Sequence, residues 1–142
     1  MSPDARGYVG DGDIYHVINR GNNRMRLFHT DADFIFFLDL LKQYKALFPI
    51  VLYHYCLMSN HVHFLMKTIQ GSDLSRLMQG INQSYSNYYK RTYQHMGHIW
   101  QGRYKSFKIT KDSYLLECGR YIERNPLKNK KGSISPRDRF PE

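Results

Sequence analysis

The sequence predicts an α+β fold: a ferredoxin-like antiparallel sheet with helices on one face and a further helix at the C-terminal end. Three observations predict it. Short β-favouring runs and long helical periodicities alternate as strand, helix, strand, strand, helix, strand, helix. Two of the β runs are separated only by Ser59-Asn60, which reads as a tight turn between antiparallel neighbours. The 142 residues, 42% of them hydrophobic, suit one compact domain with a real core.

The elements follow in order. Residues 14–19 favour a strand, and Gly21, Asn22 and Asn23 make a polar loop. Residues 31–48 place Phe34, Phe37, Leu38, Leu41, Tyr44, Lys45 and Phe48 along one helical face, and Pro49 follows. Asp31, Asp33 and Asp39 read as helix-start and solvent-face acids. Residues 50–58 and 61–67 are strands. Ser72 is the expected cap of a long helix to about residue 93, with Leu74, Leu77, Met78, Ile81, Tyr85 and Tyr88 at helical spacing. A strand is expected near residues 104–109, then a last helix over 112–125, stopped by Pro126. The whole is one domain, 1–142, with loose ends at about 1–12 and 132–142.

No run of about 18 apolar residues offers a transmembrane helix, and the polar, acidic start is not a secretory signal. Cys56 and Cys118, the two cysteines, make neither a zinc spacing nor a disulfide framework, and they read as reduced and partly buried. A cytoplasmic location is the expectation. The net charge is +9, and residues 99–131 hold nine basic side chains against three acidic ones. Trp100, Tyr104, Phe107, Tyr114 and Tyr121 interleave with those charges. A cationic stretch with flat stacking surfaces suits the phosphates and bases of an unpaired strand. Arg103, Lys105, Lys108, Arg120 and Arg124 are the expected DNA contacts, although charge alone also fits a merely basic protein.

Two groups of residues can carry chemistry. In His61-Val62-His63 the strand period puts both histidines on one face and Val62 on the other, with Val62, Phe64 and Met66 directed into the core. Two imidazoles so spaced can chelate one divalent ion, although an isolated His-x-His is more often an ordinary sheet pair. No thiolate lies nearby in the motif, so zinc is the less expected metal. Tyr121 lies in the last helix with Asn125 one turn on. A tyrosine nucleophile needs an activated electrophile, and a metal-polarised phosphate is one. The chain has 12 tyrosines, so composition alone does not choose Tyr121. The other histidines rank lower, although His16 on the first strand can approach the same face.

Residues 55–65, Tyr-Cys-Leu-Met-Ser-Asn-His-Val-His-Phe-Leu, resemble the signature strand pair of the HUH single-strand endonucleases. Within them the chain is most similar to the REP-associated tyrosine transposases and their insertion-sequence relatives. Residues 15–17 with 19–23, 74–79, 98–106 and 121–126 match the same family in consistent order. The resemblance covers roughly residues 13–128. It implies a Mg²⁺ or Mn²⁺ ion on His61, His63 and Asn125, with Tyr121 as the catalytic nucleophile on a C-terminal helix. It further implies transposition by cutting single-stranded DNA near hairpins, through a 5′-phosphotyrosine link and a free 3′-OH. A domesticated hairpin-binding or single-strand-binding protein without cleavage and a hydrolase using activated water are the other readings. The sequence leaves open whether the chain acts as a homodimer.

Overall fold

The computed structural model describes residues 9–110, together with the backbone of a strand at 130–133. The elements are β1 (Ile14–Arg20), a 3₁₀ turn (Asn22–Arg24), α1 (Asp31–Leu47), β2 (Ile50–Leu57), β3 (His61–Thr68), α2 (Ser72–Tyr93), β4 (Lys105–Ile109) and β5 (Lys130–Ser133). The sheet order is β4-β1-β3-β2-β5, and every pairing is antiparallel. This is the expected ferredoxin-like α+β arrangement with one strand more than expected. β5 pairs with β2 in a stretch read from sequence as basic and then loose. The last predicted helix, over 112–125, lies outside the described residues.

Alternation in β3 divides the sheet into two faces. Val62, Phe64 and Met66 are fully buried and join Tyr15 and Val17 of β1 under α1 and α2. Burying each such large side chain contributes about 1.5–3 kcal/mol. α2 supplies Leu74, Leu77, Met78, Ile81 and Tyr85 to the same core, and α1 supplies Phe37 and Leu41. The helices touch closely at Gly80. A Cβ there would meet the Tyr44 ring at 2.3 Å, and the Tyr44 hydroxyl reaches Ser84 Oγ at 2.8 Å.

Several local readings change once the chain is packed. Ser72 does not cap α2. Gly71 holds that place, and its N–H donates to the Asp11 carboxylate at 2.7 Å. Residues 9–12, expected to be loose, are therefore tied down. Thr68 Oγ1 donates to the Gly10 carbonyl at 2.6 Å, and Gly12 N–H donates to the Thr68 carbonyl at 2.9 Å. Lys45, although in the last turn of α1, is fully buried.

Asp33 is not a solvent-face acid but a buried cap. Thr30 and Asp33 form a reciprocal capping box at the start of α1. The Asp33 carboxylate accepts from His29 N–H at 2.8 Å, Thr30 N–H at 3.2 Å, Tyr88 Oη at 2.6 Å and Tyr93 Oη. Burial acts to raise its pKa. The four donors together outweigh burial and hold the pKa below the ordinary 3.8. Because the folded value is depressed, Asp33 contributes stability above the unfolded value, and that stability is lost as pH falls through the folded one. Asp33→Asn is expected to cost about 1.5–3 kcal/mol at neutral pH, the range for hydrogen bonds to a charged group. It is also expected to flatten the loss of stability below pH 3.8. Urea unfolding of both proteins across acid pH checks this, and parallel curves would count against it.

Candidate active site on the sheet face away from α1 and α2

The face of the sheet away from the helices carries the histidines. β1 and β3 pair with Ile18 opposite His63 and Arg20 opposite His61. β4 adds Lys105 opposite Ile18, and β2 adds Cys56 opposite His63. One row across the sheet thus runs Lys105, Ile18, His63, Cys56. The next row along β1 and β4 holds His16 and Phe107. The same face carries a small apolar cluster of Cys56, Leu65 and Ile109, with Ile14, Tyr53 and Met58 against it.

The His61 and His63 ring centroids are 4.8 Å apart. The spacing is close enough for both rings to address one ion. His61 Nδ1–H donates to Asn60 Oδ1 at 2.7 Å, which leaves the lone pair of His61 on Nε2. His63 Nδ1 and His16 Nε2 are 3.1 Å apart, with the rings stacked at 5.3 Å. In the tautomer where His63 Nδ1–H donates to His16, both His61 and His63 keep their lone pair on Nε2. Burial lowers the His63 pKa to about 3; the Arg20 charge, and a proton on His61 or His16 when either carries one, lower it further. Burial likewise lowers His16 to about 4. His61 is lowered by burial and then by Arg20. All three imidazoles are therefore neutral near pH 7, the form in which an imidazole can ligate.

The pair suits a divalent ion but does not complete its shell. Among the described residues no three His, Cys, Asp or Glu side chains are grouped to hold a metal. Tyr121, Asn125, Arg120 and Arg124 lie outside the described residues. Cys56 corrects the reading that no thiol lies near the motif, since the β2–β3 register sets it directly across from His63.

His16 is the residue the sequence reading undervalued. The available signal was its odd position in β1, but only strand pairing brings it to His63. Three further segments are joined by backbone hydrogen bonds beside the His61 end of β3. Gly21 N–H donates to the Asn60 carbonyl at 2.8 Å, Asn22 N–H to the Ile99 carbonyl at 2.7 Å, and Gln101 N–H to the Arg20 carbonyl at 2.9 Å. Trp100 anchors the third segment by donating from Nε1 to the Asn82 carbonyl at 3.0 Å.

The expected cationic contacts separate. Lys105 is exposed on the histidine face, and Arg103 is exposed in the loop before it. Lys108 falls on the opposite face and pairs with Asp13 at 3.3 Å.

With this geometry in place, the comparisons with known proteins are specific. Residues 12–125 match the family model described as IS200-like transposase. The chain belongs to the IS200-like transposase family. A REP-associated tyrosine transposase bound to a REP hairpin superposes with a TM-score of 0.71 at 20% identity, over 90% of this chain and 74% of that one. A Deinococcus radiodurans protein described as a transposase superposes with a TM-score of 0.58 at 18% identity, over 84% and 95%. At these identities both show a shared fold. No curated protein matches the chain. No helix among the described residues is long and apolar enough to cross a membrane.

If a single strand of DNA crosses the histidine face, Lys105 lies on its side of the sheet and Lys108 does not. Lys105→Gln is expected to weaken binding of single-stranded DNA and to lower the salt slope by about 0.7, the loss of one phosphate contact. Lys108→Gln should change both less. Affinities measured across a salt series decide, and equal effects would remove the distinction between the faces.

Proposed function

We propose that this transposase cuts and rejoins single-stranded DNA, next to a hairpin, through a tyrosine nucleophile and a divalent ion. The observation that carries the proposal is the His61–His63 pair. Both rings are neutral, 4.8 Å apart and on the sheet face opposite the helices. The family and the sequence match at residues 121–126 support Tyr121 as the nucleophile and Asn125 as a further oxygen ligand. The hairpin bound to the REP-associated relative supports hairpin DNA as the substrate class.

In this reading His61 and His63 hold Mg²⁺ or Mn²⁺ through Nε2, and His16 and Asn60 keep those nitrogens aimed. The ion supplies neutralisation of charge on the non-bridging oxygens of the scissile phosphate. Tyr121 forms an Oη–P bond as the P–O3′ bond breaks, and the phenolic proton ends on the departing 3′-oxygen. The products are a 5′-phosphotyrosine link and a free 3′-OH. Attack by a second 3′-OH on the same phosphorus releases Tyr121 and joins the strands. The phosphodiester count is unchanged, so no nucleotide cofactor is needed.

Incubation with a hairpin oligonucleotide bearing a single-stranded flank, in Mn²⁺, should give a protein–DNA adduct on a denaturing gel. Tyr121→Phe should abolish the adduct with DNA and Mn²⁺ affinity nearly unchanged. His61→Ala with His63→Ala should abolish Mn²⁺ binding in calorimetry. His16→Leu should weaken Mn²⁺ binding about 10–100-fold, the usual cost of losing a ligand's hydrogen-bond partner. An adduct that survives in Tyr121→Phe but not in Tyr114→Phe would move the nucleophile. Tight hairpin binding by the unaltered protein with no adduct would favour a non-cutting DNA-binding module.

A further inference from the structure

We propose that Arg20 is a catalytic residue that grips the scissile phosphodiester beside the His61–His63 pair, its guanidinium taking a non-bridging oxygen of the same phosphate. The inference rests on the reading of that pair as a metal site for DNA chemistry. It assigns the anion-binding half of the site.

The placement comes from strand pairing. Arg20 is the last residue of β1 and stands directly opposite His61. Residues opposite one another in an antiparallel pair share a face, with Cβ atoms about 4.5–5.5 Å apart. The backbone of Arg20 is pinned on both sides. Its N–H donates to Asn19 Oδ1 at 3.0 Å, and its carbonyl accepts from Gln101 at 2.9 Å. The side chain therefore leaves from a fixed point, as a group that must meet a reacting phosphate requires.

The electrostatics then ask for an anion. Arg20 is exposed, and among the described residues its guanidinium has no carboxylate partner. Lys108, on the other face, shows the contrast by pairing with Asp13. The positive charge of Arg20 is felt at both His61 and His63. A lone guanidinium beside two ligands for a divalent cation opposes that cation. The arrangement becomes favourable when a group with at least one negative charge lies between them. A phosphodiester does so, with one non-bridging oxygen toward the histidines and the other toward the guanidinium. Arginine suits this better than lysine because its guanidinium is always charged and presents its N–H donors in fixed directions, so it orients the phosphate oxygen that it holds.

The test uses Arg20→Gln, Arg20→Lys and Arg91→Gln on the full chain. Arg91 lies in the last turn of α2, so its variant removes the same charge from the helix layer. Circular dichroism and thermal melting establish that each variant folds. The proposal expects opposite movements in Arg20→Gln. Mn²⁺ binding without DNA, by calorimetry, stays equal or tightens several-fold, because a repelling charge has gone. Affinity for the flanked hairpin oligonucleotide in EDTA falls, with a salt slope lower by about 0.7. Adduct formation in saturating Mn²⁺ and DNA slows at least tenfold. Arg20→Lys recovers the affinity but only part of the rate, and Arg91→Gln leaves the adduct rate near that of the unaltered protein. Unchanged affinity in EDTA together with an unchanged adduct rate in Arg20→Gln overturns the proposal. So does an equal loss of rate in Arg91→Gln, which would make the effect one of overall charge. Should the unaltered protein form no adduct, the proposed function fails separately, and the EDTA affinities still decide whether Arg20 holds phosphate.

Discussion

The antiparallel pairing of β1 with β3 is the constraint on which the rest of the structure depends. It lies at the middle of the sheet and does two things at once. On one face it seals Tyr15, Val17, Val62, Phe64 and Met66 against the helices. On the other it brings His16, Arg20, His61 and His63 together. A slip of one residue would exchange the faces, placing histidines under the helices and Phe64 on the histidine face. The hydrophobic energy that holds the core in register therefore also holds the site in register.

Rigidity at the site comes from what surrounds the strands. The loop after β1 passes through left-handed conformations at Asn23 and Arg24, with φ of 53° and 59°. Such geometry is costly for a residue with a side chain and persists where neighbours hold it. Here the neighbours are the backbone bonds from residues 21 and 22 to residues 60 and 99. At the far end of the helix layer Tyr88, Tyr93 and the backbone at 29 and 30 satisfy the buried Asp33, which ties α1 to α2. The two helices form a fixed backing for the sheet. Binding residues carried on such a sheet keep their spacing when a flexible strand of DNA arrives.

The site itself is unusual for its balance of charge. Its histidines are neutral near pH 7, because burial disfavours their protonated form. Its charged groups, Arg20 and Lys105, are cationic, and among the described residues no acidic cluster offsets them. Under the proposed function, a substrate phosphate supplies negative charge to this site. Ion and phosphate are then expected to bind with mutual reinforcement, each relieving the repulsion the other would face alone.

Much of this was legible in the residues. The period of two in His61-Val62-His63-Phe64-Leu65-Met66 determines that the histidines share a face and that Val62, Phe64 and Met66 are core, whatever the partners are. Helical spacing determined α1 and α2, and the match at residues 13–128 determined the class of chemistry to look for. Tertiary structure decided what depends on contacts far apart in the chain. Strand pairing across 47 residues brought His16 to His63, and it set Arg20 opposite His61 and Cys56 opposite His63. It also turned Lys108 away from the site and made Asp33 a buried cap. Periodicity states which side of its own element a residue faces. It says nothing about which element lies alongside, because that is chosen by the packing of the whole core.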